Sequence, residues 1–98
     1  MKSKNEIIEI LSSIRDDLKE QYGVKSIAIF GSYARDDYTL KSDIDIIIEF
    51  DRHIGFKYFE LADYLEKILN CNVDLFTYNA IQQKPFLWES VKEDIIYV

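Results

Sequence analysis

The chain has 98 residues, of which 48% are hydrophobic and 31% charged, with three glycines and one proline. A chain this short buries only about 60 to 65% of its unfolded surface, which sets one small domain as the ceiling, and its balance excludes disordered, collagen-like and low-complexity classes. Twelve Lys and Arg against eighteen Asp and Glu leave a net charge of −6. The basic residues are scattered from Lys2 to Lys92 without a run, which argues against a protein held to DNA by phosphate neutralisation and against a polybasic membrane anchor.

Ser3 followed by Glu6 reads as a capping box, and Ile7, Leu11, Ile14, Leu18 and Tyr22 recur at helical spacing until Gly23 supplies a stop. Lys25 to Phe30 is a short β-rich run ending at Gly31, with room for a helical turn over Gly31 to Arg35. Asp43 to Phe50 alternates and is rich in isoleucine, so it reads as the second strand and as a neighbour of the first. Asp51 to Gly55 is the expected mobile loop, and Phe56 to Leu69 is a helix with Leu61, Leu65, Ile68 and Leu69 on one face and Asn70 at its left-handed cap. Asn72 to Phe76 is a third short strand. Lys84 to Glu93 is a last helix with Pro85 in its first turn, followed by the apolar end Ile95 to Val98. The predicted order is α-β-β-α-β-α, an α+β (mixed α/β) fold with a short sheet flanked by helices in one domain spanning 1–98.

Cys71 and His53 are the only residues of their kinds, so an intrachain disulfide and a Cys/His zinc site have no material, and Ser-His-Asp or Cys-His hydrolase chemistry is removed unless His53 serves, with no Ser or Cys beside it in a nucleophile context. Any metal must be bound by oxygen. Apolar runs such as Ile27 to Phe30 and Ile46 to Ile48 fall far below the roughly 18 to 20 residues of a membrane span, and no signal pattern opens the chain. A soluble cytoplasmic protein is the expectation.

Asp43 and Asp45 are two apart in a strand, so their side chains leave one face while Ile44, Ile46, Ile48 and Phe50 line the other. Two carboxylates about 5 Å apart repel by roughly 3 kcal/mol at an effective dielectric of 20, a cost that a bound divalent cation removes. Asp74, flanked by Val73 and Leu75, completes a three-acid cluster if the third strand lies beside the second. Taken singly, Asp43 reads as a strand edge, Asp45 as a solvent-facing residue and Asp74 as a loop acid. Together their oxygens suit Mg²⁺ or Mn²⁺. Gly31-Ser32 stands at a strand-to-helix junction where backbone N–H groups and a hydroxyl can hold a phosphate. Ten residues separate Ser32 from Asp43, which places a phosphate loop at the end of one strand and a metal pair on the next, the arrangement nucleotidyl transfer needs.

The string Gly31-Ser32-x10-Asp43-x-Asp45 resembles the signature of the minimal nucleotidyltransferase (MNT) family of the DNA polymerase β-like superfamily. The leading helix, the Asn72–Phe76 strand and the closing helix extend the likeness over nearly the whole chain. The resemblance implies a polymerase β palm-like fold and a role as the type VII-like antitoxin partner of a HEPN-domain toxin, a ribonuclease. The implied activity is Mg²⁺-dependent transfer of AMP from ATP to a tyrosine hydroxyl of that toxin, with two ions at the site. It further implies that Gly31 and Ser32 hold the β and γ phosphates, that Asp43 and Asp45 bind the metals, and that Asp74 binds the catalytic metal and helps deprotonate the acceptor. The pattern departs at Asp36, where many members have Gly: Asp tolerates a left-handed backbone less well and adds negative charge near the triphosphate.

Arg35 is a candidate phosphate contact, with pairing to Asp36, Asp37 or solvent as the competing reading. Tyr33 and Tyr38 read as packing residues beside the motif, His53 as a loop residue, Cys71 as a small buried apolar residue and Trp88 as a packing residue of the last helix. Two other functions fit the same residues: a binding module that silences a toxin by complex formation, and a small-molecule nucleotidyltransferase, which the short length disfavours.

Overall fold

The computed structural model describes residues 2–98. In chain order the elements are α1 (Lys4–Tyr22), β1 (Val24–Phe30), α2 (Gly31–Arg35), β2 (Ile44–Phe50), α3 (Lys57–Leu69), β3 (Val73–Thr77), α4 (Tyr78–Gln82), α5 (Pro85–Asp94) and β4 (Ile96–Tyr97). α1, β1, β2, α3, β3 and α5 lie where their patterns predict, and the turn after Gly31 is a one-turn helix. Two elements are additional: α4, capped by the Thr77 hydroxyl, and β4, which turns the predicted apolar end into a strand.

Each boundary has a local cause. Ser3 Oγ accepts the Glu6 N–H and Glu6 Oε1 accepts the Ser3 N–H, both at 3.2 Å, so the capping box satisfies two donors at the start of α1. At the other end Gly23 adopts φ +69° and its N–H returns to Leu18 and Lys19, while Arg52 Nη2 donates to the Glu20 carbonyl at 3.1 Å. A cation there also suits the negative end of the helix dipole.

The sheet runs β3-β2-β1-β4. β1 is antiparallel to both neighbours and β2 is parallel to β3, with α3 as the crossover. Alternation divides it into two faces. Ile27 and Ile29 of β1 and Ile44, Ile46 and Ile48 of β2 pack with Ile7, Leu11, Leu18, Leu61, Leu65 and Leu69 of α1 and α3 into the main core. At about 1.5 to 3 kcal/mol for each side chain fully buried, this layer supplies most of the driving force for folding. On the reverse face Ala28, Phe30 and Ile47 meet Ile81 of α4 and Val91 of α5 in a smaller cluster, with Phe30 and Phe76 rings 5.4 Å apart. The edge strand β3 is protected by its own crossover helix: Glu66 Oε2 accepts the Val73 N–H at 3.0 Å and the Tyr58 hydroxyl donates to the Leu75 carbonyl. These bonds occupy groups that would otherwise template pairing with another chain.

Candidate active site

The registers of three strands meet at Asp45. It pairs with Phe30, the last residue of β1, on one side and with Asp74 of β3 on the other. Because side chains alternate, Asp43, Asp45 and Asp74 leave the face opposite Ile44, Ile46 and Ile48, at the end of the sheet that α4 and α5 leave open. β1 ends here and α2 begins at Gly31, whose φ is +73°. A β-carbon at Gly31 would collide with Asp45 Oδ2 and stand 3.2 Å from its Cγ. Glycine is therefore required twice, once for the backbone angle and once for the carboxylate packed against its α-carbon.

Asp45 carries the strain of the cluster. Its pKa is pushed up to about 6, first by burial, then by the charges of Asp74 and Asp43 and by a hydrogen bond with Asp74, while the positive charge of Arg35 acts in the opposite direction. Asp43 and Asp74 are exposed on either side of it. The predicted trio is thus brought to one face as a contacting pair, Asp45 and Asp74, with Asp43 as an electrostatic neighbour. Among the described residues no three Asp, Glu, His or Cys side chains converge closely enough to form a ready-made metal site. The donor chemistry nevertheless fits a hard divalent cation: the ligands are all oxygen, and the central one is penalised as an anion by its neighbours until a cation arrives.

The loop that follows is tied down from several sides. Ser32 lies in the first turn of α2, where backbone N–H groups have no partner within the helix. Its carbonyl accepts the Asp37 N–H at 3.1 Å. Arg35 Nε donates to Asp37 Oδ2 and Nη1 to Asp94 Oδ2, each at 3.1 Å, so its pairing is with Asp37 and with an acid on α5 rather than with Asp36. Asp36 adopts the left-handed conformation, φ +64°, and its carboxylate accepts a 2.8 Å bond from Lys4 Nζ. The extra negative charge of this position is therefore paired with α1. Tyr33 and Tyr38 stack on each other with centroids 4.1 Å apart and planes 2° apart, and Tyr33 is buried in the main core. They are packing residues, as predicted. So is Trp88, edge-on to Tyr78 at 5.3 Å, while His53 is exposed and Cys71 is half-buried against the core. Asp94 and Lys4 were not among the predicted site residues, because each meets its partner across a gap of 59 or 32 residues.

Two cavities among the described residues are lined by none of Asp43, Asp45 and Asp74. One of about 520 Å³ opens at the opposite end of the sheet, against the 51–55 loop, Tyr58 and Tyr78. The other, about 440 Å³, lies behind Ser42 between the start of α1 and the end of α3. With Asp43 and Asp74 exposed and Asp45 half-buried between them, the three carboxylates form an open shelf.

This chain is similar to known proteins. Residues 11–98 match the model of the nucleotidyltransferase domain family. A Methanocaldococcus jannaschii chain named as a protein adenylyltransferase is 52% identical, with all of both chains covered. The protein adenylyltransferase MntA of Thermococcus cleftensis is 34% identical over 100% of this chain and 98% of its own. Among solved structures, a toxin–antitoxin complex with AMP-PNP superposes with a TM-score of 0.68 at 27% identity, covering 96% of this chain and 70% of that one. A tri-AMPylated Shewanella oneidensis HEPN toxin in complex with an MNT antitoxin gives a TM-score of 0.60 at 26% identity, covering 96% and 66%. The family model that matches residues 11–98, with relatives 34% and 52% identical over the whole chain, places the protein in the nucleotidyltransferase domain family, as a nucleotidyltransferase.

Proposed function

We propose that the 98 residues form one minimal nucleotidyltransferase domain that transfers AMP from ATP to a tyrosine hydroxyl of a HEPN-domain toxin and so acts as its cytoplasmic antitoxin. The observation that carries this reading is Asp45 packed on Gly31 and in register with Asp74, in a chain similar throughout its length to protein adenylyltransferases. In the transfer, the hydroxyl oxygen attacks the α-phosphorus, the bond from that phosphorus to the α–β bridging oxygen breaks, and pyrophosphate leaves. Gly31 permits close approach of the phosphates, Ser32 offers its N–H and hydroxyl, and Arg35 offers a guanidinium. Asp43, Asp45 and Asp74 are the residues that would hold Mg²⁺, two ions with Mn²⁺ as a substitute. When bound, the ions supply positive charge against the triphosphate and the departing pyrophosphate. Asp74, exposed on the edge strand, is also placed to take the hydroxyl proton as the new ester bond forms.

The open shelf bears on the acceptor. A small acceptor would need a pocket to enclose it, whereas a protein brings its own surface to cover Asp43 and Asp74. No helix among the described residues is long and apolar enough to cross a membrane, which is compatible with a cytoplasmic partner.

The test is transfer of label to a purified HEPN protein from α-labelled but not γ-labelled ATP, with loss of transfer in Asp43→Asn and Asp45→Asn. Persistent transfer by both variants would remove the acids from the reaction. Neutralisation of the toxin by Asp45→Asn without transfer would favour a binding module.

A further inference from the structure

The arginine of the motif loop is held by an acid from the far end of the chain, and the following rests on the reading that a nucleotide docks at Gly31-Ser32. Arg35 is the last residue of α2, three positions after Ser32 and four after Gly31. It therefore shares their face of the one-turn helix. Helical side chains lean toward the helix N-terminus, the end at which the phosphates dock. A guanidinium is a rigid fork of five N–H donors. Here Nε is directed to Asp37 and Nη1 to Asp94, two bonds that fix the plane of the fork while using two of its five donors.

The two acids differ in footing. Asp37 is 58% exposed, in the irregular segment between α2 and β2. Asp94 is 24% exposed and ends α5. The next residues run directly into β4, which pairs with β1 at Ala28 and Ile29, and the Val98 N–H continues the ladder to the Ile27 carbonyl at 2.9 Å. Asp94 is thus anchored to the same strand that delivers Gly31. Partly exposed ion pairs add little to stability, so stability alone gives no reason for two carboxylates to converge on one arginine. Orienting a long side chain before its ligand arrives does give one, since less rotamer freedom is then lost on binding.

We infer that Asp94 is a positioning residue for nucleotide binding: with Asp37 it holds the Arg35 guanidinium so that its remaining N–H groups meet the oxygens of a phosphate docked at Gly31-Ser32. The carboxy-terminal helix and strand thereby take part in the nucleotide site without touching the nucleotide.

The experiment is calorimetric titration of the full chain with AMP-PNP and Mg²⁺, for the wild type, Arg35→Ala, Asp94→Ala, Asp94→Asn and the Arg35→Ala/Asp94→Ala pair. Loss of a charged phosphate contact predicts about tenfold weaker binding for Arg35→Ala, and loss of its orientation about fivefold for Asp94→Ala. Asp94→Asn, which keeps an acceptor oxygen in place, is expected to lose less. The double variant is expected to bind as Arg35→Ala does, and AMP transfer at saturating ATP by Asp94→Ala is expected to stay within about twofold of wild type. Equal weakening by Asp94→Ala with and without Arg35, unchanged affinity, or tighter binding would each overturn the inference, the last by making Asp94 a competitor of the phosphates. A wild-type chain that binds no analogue would instead overturn the reading of the site itself.

Discussion

The two faces of the sheet are built from the same strands and do opposite things. On the face covered by α1 and α3, β2 contributes Ile44, Ile46 and Ile48, each no more than 1% exposed. On the reverse face the same strand contributes Asp45 at one end, with Asp43 just before it, and Ile47 and Glu49 further along, where α4 and α5 give only partial cover. Alternation lets a strand of seven residues carry a closed apolar layer and a charged shelf at once. The face that stabilises the chain is thereby separated from the face that carries the acids, and the repulsion concentrated at Asp45 is supported by the packing behind it.

Substitutions on either face should break this division in opposite ways. The largest effect is expected for Asp45→Asn, which should lower adenylate transfer by about a thousandfold or more, measured with labelled ATP on protein shown by circular dichroism to be folded. On the other face Ile46→Ala should cost about 3 kcal/mol in urea unfolding and leave the ATP affinity of the folded protein unchanged. Gly31→Ala touches both faces' interests: the positive φ costs about 1 kcal/mol and the new methyl displaces Asp45, so stability and transfer should fall together.

The acid face also sets a pH dependence. Asp45 has a folded pKa of about 6, above its ordinary value of 3.8, so the folded state binds the proton more tightly than the unfolded chain. Stability should then fall as pH rises between those values and remain lowered above them. In metal-free protein, Asp45→Asn should therefore gain on the order of 1 kcal/mol over wild type at neutral pH, after allowance for its partial exposure, and almost nothing near pH 4. Added Mg²⁺ should raise the melting temperature of the wild type and not of the variant. The smallest effect is expected at Asp36, where Gly would relieve the left-handed backbone but lose the exposed pair with Lys4, leaving stability within about 0.5 kcal/mol in thermal melts.

Much of this division is legible in the residues themselves. The capping box at Ser3, the isoleucine alternation in β2 and the spacing from Ser32 to Asp43 are local patterns, and each led to the observed element or position. The adjacency of Asp74 was conditional on strand order, which the parallel register Asp45 to Asp74 supplies. What was not legible is non-local or too short to be periodic. β4 has two residues and owes its pairing to β1, nearly seventy positions earlier; α4 has five and buries only Ile81. Ile47, which shares a face with the acids, is buried because α4 and α5 fold over that half of the sheet. The hold of Asp94 on Arg35 depends on that same closure.

The central claim, that the acidic face performs adenylate transfer to a partner protein, is tested most directly by the intact mass of a HEPN-domain partner after incubation with ATP, Mg²⁺ and either the wild type or Asp45→Asn. The expected result is a partner that gains whole adenylate increments on tyrosine with the wild type and none with the folded variant. A partner left unmodified by the wild type, or modified equally by Asp45→Asn, would contradict it.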